Sequence, residues 1–243
     1  MKMKMKSITL LLIVIFLLMP PVITNAFYDK AHAGTQLFTN ATYGAEGLKG
    51  DFTLPYIDSK WSTTYPGNFI TFEQWITVNE YAYPPNSNWF EIGYMDGSMN
   101  HNREGITYYK GFFKAKFINN QYWESKLSKT ATVNETYTFT IADFDCHGLW
   151  EIYIGMDYFG AFSDTVYVSD DLKVDQGYEF NHEEESPAQV WSSTTISNQM
   201  IRQGYTWHDW TYFMNLYNVG VTIVNSLPIT SVTFNNNTTT LTQ

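Results

Sequence analysis

Four glutamates with aromatic neighbours are the side chains of this sequence best suited to chemistry. Each lies in or beside a predicted strand and close to a tryptophan: Glu73 near Trp75, Glu91 near Trp89, Glu124 beside Trp123 and Glu151 beside Trp150. A carboxyl group that is partly desolvated against an indole has a raised pKa and can act as a general acid. An exposed strand face with alternating charge would give the same pattern, so both interpretations stay open.

The histidines, the serines and the single cysteine give weaker patterns. His147 and His208 each lie near an aspartate but lack the paired spacing typical of zinc sites. No serine stands in a Gly-x-Ser-x-Gly elbow, and the acidic turn around Cys146 disfavours a thiolate. A lone cysteine also excludes an intramolecular disulfide. The sequence therefore predicts neither a metal site nor a cofactor.

The elements that must position the glutamates are predicted to be strands. Short runs with period-2 alternation, rich in Thr, Tyr, Phe, Val and Ile, are separated by Gly, Asn, Asp and Pro, which is typical of antiparallel sheet. The predicted strands lie near Leu48–Leu54, Phe69–Asn79, Trp89–Tyr94, Ile106–Phe117, Tyr137–Ala142, Leu149–Gly155, Thr165–Val168, Ala188–Thr195, Trp207–Phe213, Gly220–Val224 and Ile229–Phe234. This spacing favours an all-β, two-sheet antiparallel sandwich of the jelly-roll or concanavalin-like type. We expect no helix longer than about three turns.

Three of these strands carry tryptophan beside a polar residue on the face away from the main core. They are Phe69–Asn79 with Glu73 and Trp75, Trp89–Tyr94 with Trp89 and Glu91, and Ala188–Thr195 with Gln189 and Trp191. If these strands are neighbours in one curved sheet, Glu91 and Gln189 converge to roughly 3–6 Å. We then expect Glu73, Trp75, Trp89 and Trp191 to line a substrate-binding groove.

Five strings follow one another in an order that is similar to a known family. They are Gly47–Pro55, Phe72–Ile76, Trp89–Tyr94, Ile106–Phe117 and Ala188–Trp191. Over most of residues 47–212 they resemble the glutamic peptidases, or eqolisins, and the related neprosin-type sandwiches. The family's cysteines are missing here.

The resemblance implies a two-sheet fold that cleaves peptides in acid with a Gln and a Glu sharing an attacking water. On these strings the family's Gln falls at Glu91 and its Glu at Gln189, so the two residue types are exchanged. An exchanged pair can still react, because the carboxylate takes the proton of water and the amide donates to the developing oxyanion. The resemblance predicts Glu91 as base and Gln189 as oxyanion donor. A related fold without catalysis accounts for the same exchange.

The first 26 residues have the order of a secretory signal peptide. Lys2, Lys4 and Lys6 precede the apolar run Ile8–Met19, and Thr24-Asn25-Ala26 follows it. About 12 apolar residues are too few to span a bilayer. We expect cleavage after Ala26, with no stable membrane insertion of the secreted product.

Residues 27–243 are expected to form a single domain, since sandwiches of this length commonly fold as one unit. The longest polar stretch is Asp170–Pro187, and the Asn- and Thr-rich tail Asn235–Gln243 is expected to fray. The formal net charge of −10 and the sparse basic residues make nucleic acid an unsuitable partner.

Three functions are compatible with these patterns. The first is a secreted acid endopeptidase that uses Glu91 and Gln189. The second is a non-catalytic secreted module whose Trp-lined groove binds an extended peptide or glycan by stacking and hydrogen bonds. The third is a secreted coat or matrix protein without a small-molecule site.

Overall fold

The computed structural model describes residues 29–39, 45–79, 88–166, 172–183, 185–217, 219–225 and 231–243. The predicted signal peptide, residues 1–26, lies outside this part of the chain. Nearly all of the described elements are strands, which form two antiparallel sheets packed on each other. The prediction of an all-β, two-sheet sandwich is therefore confirmed.

Seventeen strands and one short helix are defined within the described residues. They are β1 (Asp29–Thr39), β2 (Gly47–Thr53), β3 (Ile57–Asp58), β4 (Phe69–Asn79), β5 (Asn88–Met99), β6 (Thr107–Ile118), β7 (Gln121–Lys126), β8 (Thr136–Ala142), β9 (Leu149–Ile154), β10 (Asp157–Thr165), β11 (Leu172–His182), β12 (Val190–Trp191), β13 (Thr194–Gln203), β14 (Thr206–Asp209), α1 (Trp210–Tyr217), β15 (Val221–Asn225), β16 (Ser231–Asn235) and β17 (Thr238–Thr242).

The first sheet has seven strands in the order β15-β1-β11-β4-β5-β6-β7. The second sheet follows the order β10-β9-β8-β2-β13-β17-β16, with β14 paired to β13, and β3 pairs with β12 in a small separate sheet. The predicted strand pair at residues 69–79 and 89–94 becomes the adjacent strands β4 and β5, which lie at the centre of the first sheet.

Alternation along β4 and β5 sends every second side chain into the space between the sheets. Ile70, Phe72, Ile76 and Val78 of β4 and Phe90 and Ile92 of β5 are fully buried there, as the sequence pattern predicts. The ring of Phe72 lies 5.1 Å from that of Phe52 in β2. Phe90 stacks on Trp150 of β9 at 5.2 Å. Such aromatic contacts across the sandwich hold the two sheets together.

A buried chain of polar side chains also joins the two sheets. Gln176 of β11 donates to Gln74 of β4 at 2.8 Å, and Gln199 of β13 donates to Gln176 at 2.6 Å and to Thr35 of β1 at 3.3 Å. Thr239 of β17 donates to Gln199 at 3.0 Å, and its hydroxyl lies 2.7 Å from that of Thr35. Because each of these polar groups has a partner, the network costs little to bury and fixes how the sheets sit on each other.

Several regions differ from the sequence-based expectation, and β1, β7 and most of β10 lie outside the predicted strands. The polar stretch Asp170–Pro187 contains β11, a central strand, because its polar residues face a groove or join the buried network. The expected strand at Trp207–Phe213 is divided between β14 and the helix α1. The prediction that the tail frays is wrong, because β16 and β17 form a hairpin whose Thr239 and Leu241 are buried.

Within the residues described, no helix is both long enough and apolar enough to cross a membrane.

Candidate functional site

A groove of about 730 Å³ runs along the face of the first sheet that points away from the second sheet. Strand alternation places the lining side chains, since they occupy the positions between the core residues of each strand. β4 contributes Glu73 and Trp75, β5 contributes Trp89 and Glu91, β7 contributes Tyr122 and Glu124, and β11 contributes Lys173 and Glu179. Four of the predicted site residues, Glu73, Trp75, Trp89 and Glu91, thus lie in one groove.

Glu73 and Glu91 meet because of the register between β4 and β5. Glu73 is paired with Gly93, and Glu91 is paired with Trp75, so the two glutamates are diagonal neighbours on the same face. On the other side of β4, Glu73 is paired with Gly177 of β11. A Cβ atom at Gly93 would lie 2.6 Å from the Cβ of Glu73, so glycine leaves the space that this side chain occupies.

The carboxyl group of Glu73 is buried, with 1% of the residue exposed. Burial raises its pKa well above the usual value, and the charge and hydrogen bond of Glu91 and then the charge of Glu179 raise it further. The Thr71 side chain has a smaller opposite effect on this pKa, although its hydroxyl donates to the main-chain carbonyl of Glu179 at 3.3 Å. Within the described chain, neither oxygen of Glu73 accepts a hydrogen bond of normal geometry.

Glu73 therefore keeps its proton to a higher pH than an ordinary carboxyl group does. Two carboxyl groups in contact cannot both ionise readily, so the pair shares one proton over a range of pH. Glu91 is the member nearer to solvent, with 8% exposure. The pair can therefore act as a base at Glu91 while the neutral Glu73 holds it in place.

Tyr122 and Glu124 form the opposite wall of the groove. The Tyr122 hydroxyl donates to Glu124 at 2.6 Å, and the main-chain N–H of Asn100 donates to the other oxygen of Glu124. The pKa of Tyr122 is raised well above its usual value, first by burial of the hydroxyl and then by the charges of Glu91, Glu124 and Glu179. The hydroxyl therefore stays protonated, and Glu124 accepts its single proton in this structure.

Carboxylates from separate strands of the first sheet line the same groove. Glu91 lies on β5, Glu124 on β7 and Glu179 on β11, which is four strand positions from β7. The charges of all three raise the pKa of the Tyr122 hydroxyl.

Lys173, a positively charged side chain that lines the groove, forms an ion pair with an aspartate of the same strand, β11. Lys173 lies 3.2 Å from Asp175 and 5.9 Å from the Trp75 ring centroid. His32 packs on Trp75 at 4.8 Å between ring centroids. Burial, followed by the charge of Lys173, lowers the pKa of His32 to about 4, so this imidazole is neutral above that pH.

Gln189 lies at the end of the sheet where β4 begins. Its side-chain amide donates to three main-chain carbonyls, those of Ser59 at 3.3 Å, Phe69 at 3.2 Å and Asn181 at 3.0 Å. Three acceptors for one amide nitrogen fix its position firmly. Gln189 therefore has a local role in satisfying buried backbone.

The predicted convergence of Glu91 with Gln189 is wrong. Glu91 is paired with Trp75, six positions along β4 from Phe69, which the Gln189 amide contacts. Six residues of strand span roughly 20 Å. An oxyanion donor must lie within about one hydrogen bond of the reacting atom, so Gln189 cannot assist Glu91 in this conformation.

Trp191 and Glu151 also lie away from the groove. Trp191 is 7% exposed and packs edge-on against Phe180 at 4.9 Å, so its expected place in the groove is corrected to the core. The pairing of β12 with β3 gives this short segment the opposite facing from that predicted. Glu151 belongs to the second sheet, where Tyr153 donates to it at 2.9 Å.

Sequence reasoning missed Tyr122, Lys173 and Glu179. The last two lie in β11, where apolar Val174, Tyr178 and Phe180 alternate with groove residues, a period-2 signal interrupted only by the buried Gln176. No group of three or more His, Cys, Asp and Glu side chains among the described residues is arranged to hold a metal ion.

Comparison with known proteins finds relatives by structure only. No family model matches the chain, and no curated protein matches its sequence. Scytalido-glutamic peptidase with a transition state analog inhibitor has a TM-score of 0.52 and 8% identity, covering 88% of this chain and 98% of that one. SCP-B, an eqolisin in complex with the tripeptide Ala-Ile-His, has a TM-score of 0.48 and 9% identity with the same coverage.

A glycoside hydrolase family 16 endo-glucanase from Bacteroides ovatus is more distant. It has a TM-score of 0.40 and 13% identity, covering 69% of this chain and 77% of that one. At such identities a structural likeness shows the fold alone. The chain therefore has a β-sandwich fold similar to that of the glutamic peptidases.

Proposed function

We propose that this protein is an acid-acting endopeptidase whose Glu73–Glu91 pair activates water. The observation that carries the proposal is the placement of two carboxyl groups as diagonal neighbours on the adjacent strands β4 and β5, where both line the groove and the charge of Glu91 raises the pKa of the buried Glu73. Acid peptidases with paired aspartates use the same principle, in which two adjacent carboxyl groups share one proton. The expectation that the protein is secreted, based on residues 1–26, forms part of the proposal.

The reaction assigns a role to each group. Glu91 takes a proton from water, and the resulting hydroxide adds to the carbonyl carbon of the peptide bond. Tyr122, which stays protonated, would turn its hydroxyl from Glu124 to the developing oxyanion as the substrate reacts. The proton held by Glu91 then passes to the leaving nitrogen as the C–N bond breaks.

The closeness of the two carboxyl groups favours peptide over glycoside hydrolysis. Retaining glycosidases hold their carboxyl groups about 5–5.5 Å apart, and inverting enzymes hold them about 6.5–9.5 Å apart. Glu73 and Glu91 are diagonal neighbours on adjacent strands, and the charge of Glu91 raises the pKa of Glu73. This arrangement suits a shared proton better than separate acid and nucleophile roles.

The test is proteolysis of denatured casein by residues 27–243 between pH 3 and pH 7. We expect activity in acid and a loss of about 100-fold or more in Glu91→Gln, because the amide cannot accept the proton. Glu151→Gln, the same change in the second sheet, should retain activity. Wild-type protein without activity at any pH, or an active Glu91→Gln variant, would contradict the proposal.

A non-catalytic groove that binds an extended peptide or glycan is the second candidate. Glu73 is only 1% exposed, so a bound chain has little access to its carboxyl group. Trp75 and Trp89 line the groove with aromatic surface on which a ligand can stack. In that case Glu91→Gln would leave ligand affinity largely intact, since stacking supplies most of the contact. Binding measurements with this variant therefore separate the two candidates.

A further inference from the structure

Four Asn-x-Ser/Thr triplets occur in the sequence, the pattern that accepts an N-linked glycan in secreted proteins. They begin at Asn40, Asn134, Asn236 and Asn237. Asn40 lies outside the described residues. A glycan is bulky and hydrophilic, so it must stay on the surface of the folded chain. The burial and contacts of the other three asparagines therefore indicate which of them can carry one.

Asn134 lies in an exposed turn between β7 and β8. Its main-chain N–H donates to the carbonyl of Leu54 at 2.8 Å, which anchors the turn to the residue that follows β2. Asn134 is exposed, and so is Thr136, the third residue of the triplet. The Thr136 hydroxyl lies 3.0 Å from that of Thr53 at the surface. Backbone contacts thus hold this turn while its asparagine stays accessible.

Asn236 lies at the tip of the hairpin formed by β16 and β17. Asn235 and Thr238 pair across the hairpin, which leaves Asn236 and Asn237 as its two turn residues. Both have positive φ angles, of 46° and 59°, a conformation that asparagine adopts more readily than most residues. Asn236 is exposed, and its triplet ends at the half-buried Thr238. The hairpin tip therefore presents a second acceptor.

Asn237 is committed to a contact inside the fold. Its side-chain oxygen accepts a hydrogen bond from the main-chain N–H of Trp210 at 3.0 Å, at the start of α1. Thr239, the third residue of its triplet, is fully buried and donates to Gln199 at 3.0 Å. A glycan on Asn237 would conflict with the packing of the hairpin against α1. This asparagine is therefore an internal comparison for the two exposed ones.

We propose that Asn134 and Asn236 carry N-linked glycans and that Asn237 does not. The proposal rests on the expectation that the protein is secreted, and it goes beyond the proposed peptidase function. The donor is an oligosaccharide joined through a diphosphate to a membrane lipid. The asparagine amide nitrogen forms a bond to the anomeric carbon of the first sugar, whose bond to the phosphate oxygen breaks. The nitrogen releases one proton, the lipid diphosphate leaves with the bonding electron pair, and nothing is oxidised or reduced.

Both sites are attached to the second sheet. Asn134 adjoins β2 and β8, and Asn236 joins β16 to β17, and all four strands belong to that sheet. The groove lies on the outward face of the first sheet, and neither turn contributes to its described lining. Glycans at these positions therefore leave the groove accessible to a ligand.

Mass mapping of the secreted protein tests the proposal. The full chain would be expressed in cultured eukaryotic cells, beside residues 27–243 behind a leader of the host, so that failed export by residues 1–26 is recognised separately. Peptide-N-glycosidase in water enriched with heavy oxygen converts each glycosylated asparagine into a labelled aspartate. We expect labels at Asn134 and Asn236 and none at Asn237. A secreted chain without label at Asn134 or Asn236, or with label at Asn237, would overturn the proposal.

Substitutions in the Asn134 triplet separate recognition of the triplet from mere exposure. Thr136→Ala should abolish the label at Asn134, whereas Thr136→Ser should retain it because serine keeps the hydroxyl group. Asn120 is the matched control, since it is exposed and has a positive φ of 62° but no serine or threonine two residues later. It should stay unlabelled. Label at Asn120, or label at Asn134 that survives Thr136→Ala, would overturn the assignment to N-linked glycosylation.

The outcome is independent of the proposed function. Mapping of glycans requires no peptide cleavage, so an inactive protein labelled at Asn134 and Asn236 would contradict the peptidase proposal and support this one. An active protein with neither label would do the reverse.

Discussion

The neutral form of Glu73 makes the folded protein sensitive to pH. A carboxyl group whose pKa is raised by burial binds a proton more tightly in the folded than in the unfolded chain. At low pH Glu73 is protonated in both the folded and the unfolded chain, so its ionisation does not change the free energy of unfolding. As pH rises above the ordinary value of 4.5, the unfolded chain releases the proton first and the folded state loses relative stability.

Glu73→Gln should remove this loss. The amide is neutral at all pH values and has nearly the same shape, so the variant should equal wild type near pH 4. At pH 7 it should be more stable by about 1 kcal/mol or more. Urea unfolding at the two pH values measures the difference. If the free energy of unfolding changes between the two pH values by the same amount in wild type and in Glu73→Gln, Glu73 is ionised in the folded state.

At the scale of elements, one glycine shapes the floor of the groove. Gly93 lies opposite Glu73 on β5. A Cβ at Gly93 would lie 2.9 Å from the Phe72 carbonyl oxygen, in addition to its contact with Glu73. The space for the buried Glu73 side chain is therefore made in part by the neighbouring strand β5.

Gly93→Ala should displace Glu73 and strain the sheet. We expect a loss of about 1–3 kcal/mol in the free energy of unfolding, as in other overpacked sites, and a larger fall in kcat/KM than stability alone explains. Gly220→Ala is the matched control, because a Cβ there has no atom within 4 Å. Equal behaviour of the two variants in unfolding and peptidase assays would show that the floor is not tightly packed.

The sequence predicts some elements well and others poorly, for identifiable reasons. The span and facing of β4 follow from clean alternation of apolar and polar residues, and that alternation places Glu73 and Trp75 in the groove. β11 escapes prediction because Gln176 occupies a core position where an apolar residue is expected. The sequence predicts the wrong positions for Trp191 and the adjoining Gln189. The reason is that β12, with two residues, is too short for alternation to indicate which side chain faces the core.

At the scale of the whole molecule, the buried polar network positions the groove sheet on its partner. Gln199 of the second sheet bonds to Thr35, Gln176 and Thr239. It bonds to strands of both sheets, as the contact between Thr35 and Thr239 also does. Removing it leaves several buried groups without partners, each of which costs about 1–3 kcal/mol.

Gln199→Leu should therefore destabilise the protein by about 2 kcal/mol or more. Gln36→Leu is a suitable control, since Gln36 is the half-buried neighbour of Thr35 on the other face of β1. Thermal and urea unfolding of both variants provide the comparison. A loss no greater than that of the control would show that water or repacking replaces the network.

The network also bears on when the chain can finish folding. Thr35 and Thr239 are 204 positions apart, yet their hydroxyl groups lie 2.7 Å from each other. A ribosome delivers Thr35 long before Thr239, so the hydrogen bonds of Gln199 to Thr35 and Thr239 cannot both form until β17 has been synthesised. The network that joins the two sheets is consequently completed late, by one of the last strands described.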